Sequence, residues 1–151
     1  MRTNFSQLKL MNYRTLTVAL AATLSLSLLT GRADDSRLDP SKLPPASSAT
    51  GVTFEKDIKP IFDVSCMPCH KSEKAKAKLN LETAAGAVKG GKEGPDIIVG
   101  NSGKSPLVYA VAHIGDDDDF MPKQPKSGKK YEALTPAQIG LIRSWIDQGA
   151  K

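Results

Sequence analysis

The chain has 151 residues, room for one modest domain rather than two. Its formal net charge is +5, but four of its 21 basic residues (Arg2, Lys9, Arg14, Arg32) and none of its 16 acidic ones precede Asp34. Residues 34–151 carry 17 basic against 16 acidic residues, a net +1, so the basicity belongs to the N-terminal segment and gives no basis for nucleic-acid binding.

That segment has the layout of a secretory signal. Basic residues precede an apolar run from Leu16 to Leu29, and Gly31-Arg32-Ala33 supplies the small residues of a cleavage point, so residues 1–33 are expected to be removed after Ala33. Met11 opens a second complete signal by itself. A run of fourteen residues is shorter than the about 20 that span hydrocarbon, so no permanent membrane anchor is expected. No cysteine is near the cleavage point to carry a lipid. The destination is periplasmic or secreted.

From Asp34 to Gly51 the composition is Asp, Ser, Pro and Ala, with Pro40, Pro44 and Pro45 favouring extended chain. Residues 34–51 therefore read as a disordered linker and residues 52–151 as the folded domain. Phe54, Ile58 and Phe62 then recur every four residues, with Ile61 beside them, which predicts one apolar helical face after an N-cap at Thr53. Pro60 lacks the N–H that a helix interior needs, so a kink or restart is expected there.

This helix leads into Cys66-Met67-Pro68-Cys69-His70, which holds both cysteines of the chain and one of its two histidines. Two thiols three positions apart on one turn can each add across a vinyl group of a haem, and the next residue can turn its imidazole toward the iron. The motif is that of c-type haem attachment, with Cys66 and Cys69 as thioether anchors of one haem c and His70 as proximal ligand. The domain's aromatic residues are only Phe54, Phe62, Tyr109, Phe120, Tyr131 and Trp145. A buried haem would supply apolar mass that so small a domain otherwise lacks. Two competing readings use the same residues. A redox dithiol needs a strand feeding a helix at the motif, and no strand pattern precedes Cys66. A zinc site needs a second ligand pair with finger-like spacing, which is missing.

Lys71, Lys74, Lys76 and Lys78 form a basic run that reads as solvated surface. Leu79 and Leu81 alternate with polar neighbours, and Thr83 to Val88 predicts a short helix ending at Gly90-Gly91. The next stretch is rich in Gly, Pro and Asn, with Ile97-Ile98-Val99 as its apolar patch, and is expected to fold against the cofactor. Within it Gly94-Pro95 offers a carbonyl for the outer nitrogen of His70, which makes Pro95 a candidate cofactor-site residue. Ser105-Pro106 predicts a helix start, with Leu107, Val108, Val111 and Ile114 on the buried side. Asp116, Asp117, Asp118 and Asp119 read as a solvated loop, with a calcium site or partner contact as the alternatives. Thr135, Pro136 and Gln138 predict a capped final helix with Leu134 and Ile139 as its staple, Ile142, Trp145 and Ile146 on its buried face, and Gly149 as its stop.

The sixth ligand is reached by elimination. Met1 and Met11 leave with the signal and Met67 lies inside the attachment loop, so Met121 is the methionine that can reach the distal face, with Pro122 restricting its backbone. His113 is the competing ligand, and its plainer role is a solvent-facing or hydrogen-bonded side chain.

With these residues in place, the chain resembles the cytochrome c domain of exported planctomycete proteins. The resemblance rests on Phe54 to Phe62, Cys66 to His70, Leu79-Asn80-Leu81, Gly90-Gly91 to Gly94-Pro95, Gly100 with Ser105, Met121-Pro122 and Trp145 to Ala150. The family commonly continues Met-Pro with a second proline, where this chain has Lys123. The resemblance implies an all-α, class I cytochrome c-like fold wrapped around one covalent haem, with first and last helices packed together and methionine opposite histidine. The expected function is single-electron transfer with a redox partner protein such as a periplasmic dehydrogenase or oxidase. No acid, base or nucleophile constellation suggests an enzyme. The alternatives are a haem-based sensor or peroxidase-like protein with an open distal site, and a non-haem zinc or dithiol protein.

Overall fold

The fold is that of a computed structural model, which describes residues 38–72, 74–128 and 130–151. Residues 1–33, read above as a secretory signal, lie outside the described residues. Among those residues the predicted helical faces become α1 (Lys59–Ser65), α2 (Ala84–Lys89), α3 (Pro106–Ala112) and α4 (Pro136–Asp147), joined by loops and single turns of 3-10 helix. They contain no strand, only an isolated bridge between Gly91 and Gly94, in agreement with the all-α expectation. None of these helices is long and apolar enough to cross a membrane.

The restart expected at Pro60 is present. Phe54–Ile58 forms a π-helical turn in which Lys59 N–H donates to Phe54 O, and α1 then begins with Pro60 in its first turn, where no N–H is required. The cap differs from the expectation. Thr53 makes no side-chain cap; Asp57 instead accepts from Thr53 N at 2.8 Å, because its carboxylate lies one turn downstream. Phe54, Ile58, Ile61 and Phe62 are all buried. Phe54 and Phe62 meet Trp145 of α4 at ring-centroid distances of 5.6 and 6.5 Å, the second edge-on. Such contacts add about 0.5–1.5 kcal/mol per pair beyond the area they bury, and here they lock the first helical segment to the last.

Helix α4 starts as the sequence predicts. Gln138 N donates to Thr135 Oγ1 at 3.3 Å, and Gln138 Oε1 accepts from Thr135 N at 2.8 Å. Leu134, Ile139, Ile142, Trp145 and Ile146 are buried, and Gly149 closes the helix at φ 104°. Ser105 behaves otherwise. It precedes α3 but makes no cap; its buried hydroxyl accepts from Ile98 N and donates to Asn101 O, both at 2.9 Å, and so stitches the preceding loop. Of the apolar patch in that loop, Ile97 enters the core while Val99 is half exposed.

The stretch read as a linker needs correction over its described part. Asp39 to Ala49 lies along α4: Ser47 N donates to Gly140 O at 2.9 Å, Ser144 Oγ to Ser47 O at 2.5 Å, and Gln148 Nε2 to Ala49 O at 2.8 Å. Arg143 reaches the Pro44 carbonyl, and Leu43 is buried. Proline-rich, extended chain has free backbone groups, and α4 offers it a row of polar side chains. The approach is close enough that a Cβ at Gly140 would stand 2.7 Å from Pro45 O. This explains a glycine in mid-helix, where it otherwise costs about 1 kcal/mol relative to alanine.

Candidate functional site

The five-residue motif is coiled around two carbonyls. Phe62 O, at the end of α1, accepts from Cys66 N at 2.8 Å and Met67 N at 3.0 Å, and Cys66 O in turn accepts from Cys69 N at 3.1 Å and His70 N at 2.9 Å. Both cysteines are half-buried and lie three positions apart on one turn. The ends of the turn are tied to the next segment, through Lys76 N to Cys69 O at 2.9 Å and Leu81 N to His70 O at 2.8 Å.

That segment also orients the histidine. His70 Nδ1 lies 3.2 Å from Leu79 O. A carbonyl only accepts, so Nδ1 carries the hydrogen, and in the neutral imidazole Nε2 is the nitrogen with a lone pair for a metal. The acceptor is therefore Leu79 and not the Gly94-Pro95 carbonyl. Gly94 O is engaged by Gly91 N at 2.9 Å, and Pro95 is exposed. The glycine loop acts one layer further out. Lys92 N donates to Ala77 O at 2.7 Å, and a Cβ at Gly91 would stand 2.8 Å from the same oxygen. The loop thus braces the 76–79 turn that presents Leu79 O.

Met121 sits beyond α3. Its N–H donates to Ala110 O at 3.0 Å, and the side chain is half-buried against the same apolar core that Cys66 and Met67 touch. His113 ends α3 in the left-handed region at φ 54° and turns back on this loop. Its Nε2 donates to Met121 O at 2.9 Å, and its ring stacks on Phe120 with centroids 4.9 Å apart and planes 6° from parallel. Between them Asp117–Asp119 makes an exposed 3-10 turn capped by Asp116, whose carboxylate accepts from Asp118 N at 2.9 Å. No three His, Cys, Asp or Glu side chains among the described residues are grouped to hold a metal ion.

Two thiols on one turn, followed by a histidine whose outer nitrogen faces a backbone carbonyl, are a donor set that a covalently attached haem could use. Residues 66–125 match the family model of planctomycete cytochrome C. The planctomycete cytochrome C match begins at Cys66 and ends at Pro125, so it takes in the attachment turn, the glycine loop, α3 and Met121-Pro122. No curated protein and no solved structure matches the chain.

Two titratable groups lie at or near the cysteine-containing turn. Burial pushes the Cys66 thiol up to about 12, so the sulfur stays protonated at neutral pH. A redox dithiol needs the reverse, a thiolate-forming cysteine. Asp96 is raised chiefly by burial, against the opposing effects of the Gly91 N–H, which it accepts at 3.0 Å, and of His70. Sequence reasoning missed three participants: the Leu79 carbonyl, the His113 contact with Met121, and Asp96. A backbone acceptor has no residue signature, and the His113–Met121 contact crosses a loop, where neither a helix nor a strand period applies.

Proposed function

We propose that this chain is an exported monohaem c-type cytochrome that transfers single electrons, with one haem c on Cys66 and Cys69 and with His70 and Met121 as axial ligands. The observation that supports the proposal is the His70 Nδ1–Leu79 O hydrogen bond, which in the neutral imidazole makes Nε2 the nitrogen that an iron would take, directly after the two thiols. A haem bound there supplies the one-electron iron couple.

The protein's part is placement. The Cys66 carbonyl holds both Cys69 and His70 in one turn, so the thiols and the imidazole have a fixed spacing before any cofactor arrives. The Leu79 carbonyl sets the tautomer and orientation of His70 and increases its basicity as a ligand. Met121 offers a neutral thioether, a choice that raises reduction potential relative to a second histidine. The core of Phe54, Phe62 and Trp145 keeps water from the neighbouring helices. A periplasmic dehydrogenase or oxidase is the partner class that such a carrier serves, and a class I cytochrome c-like wrapping of the helices around the haem belongs to the same proposal.

The decisive experiment is expression of the chain with a cytochrome maturation system and a pyridine haemochrome spectrum after acid-acetone extraction. A retained c-type spectrum is expected; loss of all pigment on extraction would refute the proposal in favour of a non-haem protein. Carbon monoxide then tests the distal side. The reduced protein should resist it, and rapid uptake would indicate an open-site sensor or peroxidase-like protein instead.

A further inference from the structure

We infer that His113 is a positioning residue for the distal ligand: it clamps the loop that presents Met121, and does not itself bind iron. The inference rests on the proposed Met121 ligation and adds to it the device that holds the sulfur in place. Three observations converge on this loop. His113 Nε2 donates to Met121 O at 2.9 Å, which occupies the ring nitrogen that a ligand histidine would most readily offer. The imidazole lies flat on Phe120, the residue before Met121, at 4.9 Å and 6°. Ala110 O accepts both His113 N at 3.3 Å and Met121 N at 3.0 Å, so the two ends of the excursion start from one carbonyl.

The excursion itself has little else to hold it. Gly115 to Asp119 is exposed, and the acidic turn bonds within itself and to Lys123. Met121 is only half-buried, so packing alone is a weak restraint on its side chain. A ligand that must stay within bonding distance of a metal needs its backbone fixed. Here the fixing comes from one side chain that grips both Met121 and its neighbour. His113 can do this because it occupies the left-handed position at the end of α3, which swings its side chain back over residues 120–121.

External imidazole reads the clamp directly. It competes with Met121 for the ferric iron, and its apparent affinity scales with the fraction of molecules whose loop is open. The test uses the mature holoprotein and two variants that share the left-handed backbone and its strain. His113→Phe keeps a flat ring for Phe120 but removes the donor; His113→Gln keeps an N–H donor without the ring. Loss of one hydrogen bond of this kind should open the loop about tenfold more often, so His113→Phe should bind imidazole about tenfold more tightly, and its sulfur-to-iron band should weaken. His113→Gln should stay closer to wild type in both measurements, within about threefold. Covalent haem content should be unchanged in both.

Equal behaviour of the two variants, whether both like wild type or both loosened alike, would overturn the clamp. So would a spectrum in which His113→Phe loses a histidine ligand and not a methionine. Met121→Ala separates the clamp from the assignment on which it rests. If that variant lacks the sulfur-to-iron band and His113→Phe has no further effect in its background, both stand. If the band persists in Met121→Ala, the ligand assignment is wrong and the clamp falls with it.

Discussion

The attachment turn and the Met121 loop are held by different means. Around Cys66 to His70 the restraints are backbone carbonyls: Phe62 O, Cys66 O and Leu79 O each engage the motif, and Cys69 O and His70 O bind it to the adjoining segment. Around Met121 one backbone bond to Ala110 O is supplemented by a single exposed histidine. Backbone contacts survive most substitutions, whereas a side-chain clamp is lost with one. The turn that carries the cysteines is therefore the more permanent of the two, which suits the covalent link proposed for it. The distal half can be adjusted by mutation without disturbing attachment.

The sharpest break comes from the thiols. Cys66→Ala with Cys69→Ala should lose covalent haem completely after maturation, as measured by haem staining of a denaturing gel; residual stain would contradict thioether attachment. Next is Met121→Ala, which should keep full covalent haem but lower thermal stability by more than the about 1 kcal/mol that the small cavity of a half-buried methionine costs, because the sulfur-to-iron bond is lost as well. A loss of attachment in that variant would erase the contrast between the two halves.

A lesion remote from both halves serves as the control. Gly140→Ala pushes a methyl against Pro45 O and should cost about 2 kcal/mol by overpacking, read as a lower denaturant midpoint. The visible spectrum of the folded holoprotein should stay the same. A spectral change would mean that the segment along α4 reaches the haem site.

The smallest effect is expected at Asp96. Burial raises its carboxyl above the ordinary range, so the folded chain holds this proton to higher pH than the unfolded chain does. Stability contributed by the protonated form is then lost as pH rises through that range, and at neutral pH the buried carboxylate is a cost. Asp96→Asn keeps an acceptor for the Gly91 N–H and should leave stability at pH 7 unchanged or higher, with a flatter dependence on pH above the ordinary carboxylate range. Asp96→Ala leaves that N–H without its side-chain partner and should lose about 1 kcal/mol. Urea melts at several pH values decide it, and a clear loss in Asp96→Asn would show that the charge itself matters to the brace behind His70.

The sequence by itself determined whatever is written in residue types at short spacing. Cys66, Cys69 and His70 lie within one turn; Phe54, Ile58 and Phe62 share a face; Thr135 and Gln138 cap each other three positions apart; Gly149 stops the last helix. Each depends on local geometry that a helix or turn dictates. The tertiary structure alone decided which carbonyl orients His70, that residues 39–49 bind α4 instead of hanging free, that Asp57 and not Thr53 supplies the cap, and that His113 grips Met121. Most of these join residues distant in the chain, and several go through backbone oxygens that every residue possesses. A carbonyl has no identity in a sequence, and its role is set by the neighbours that the fold brings to it.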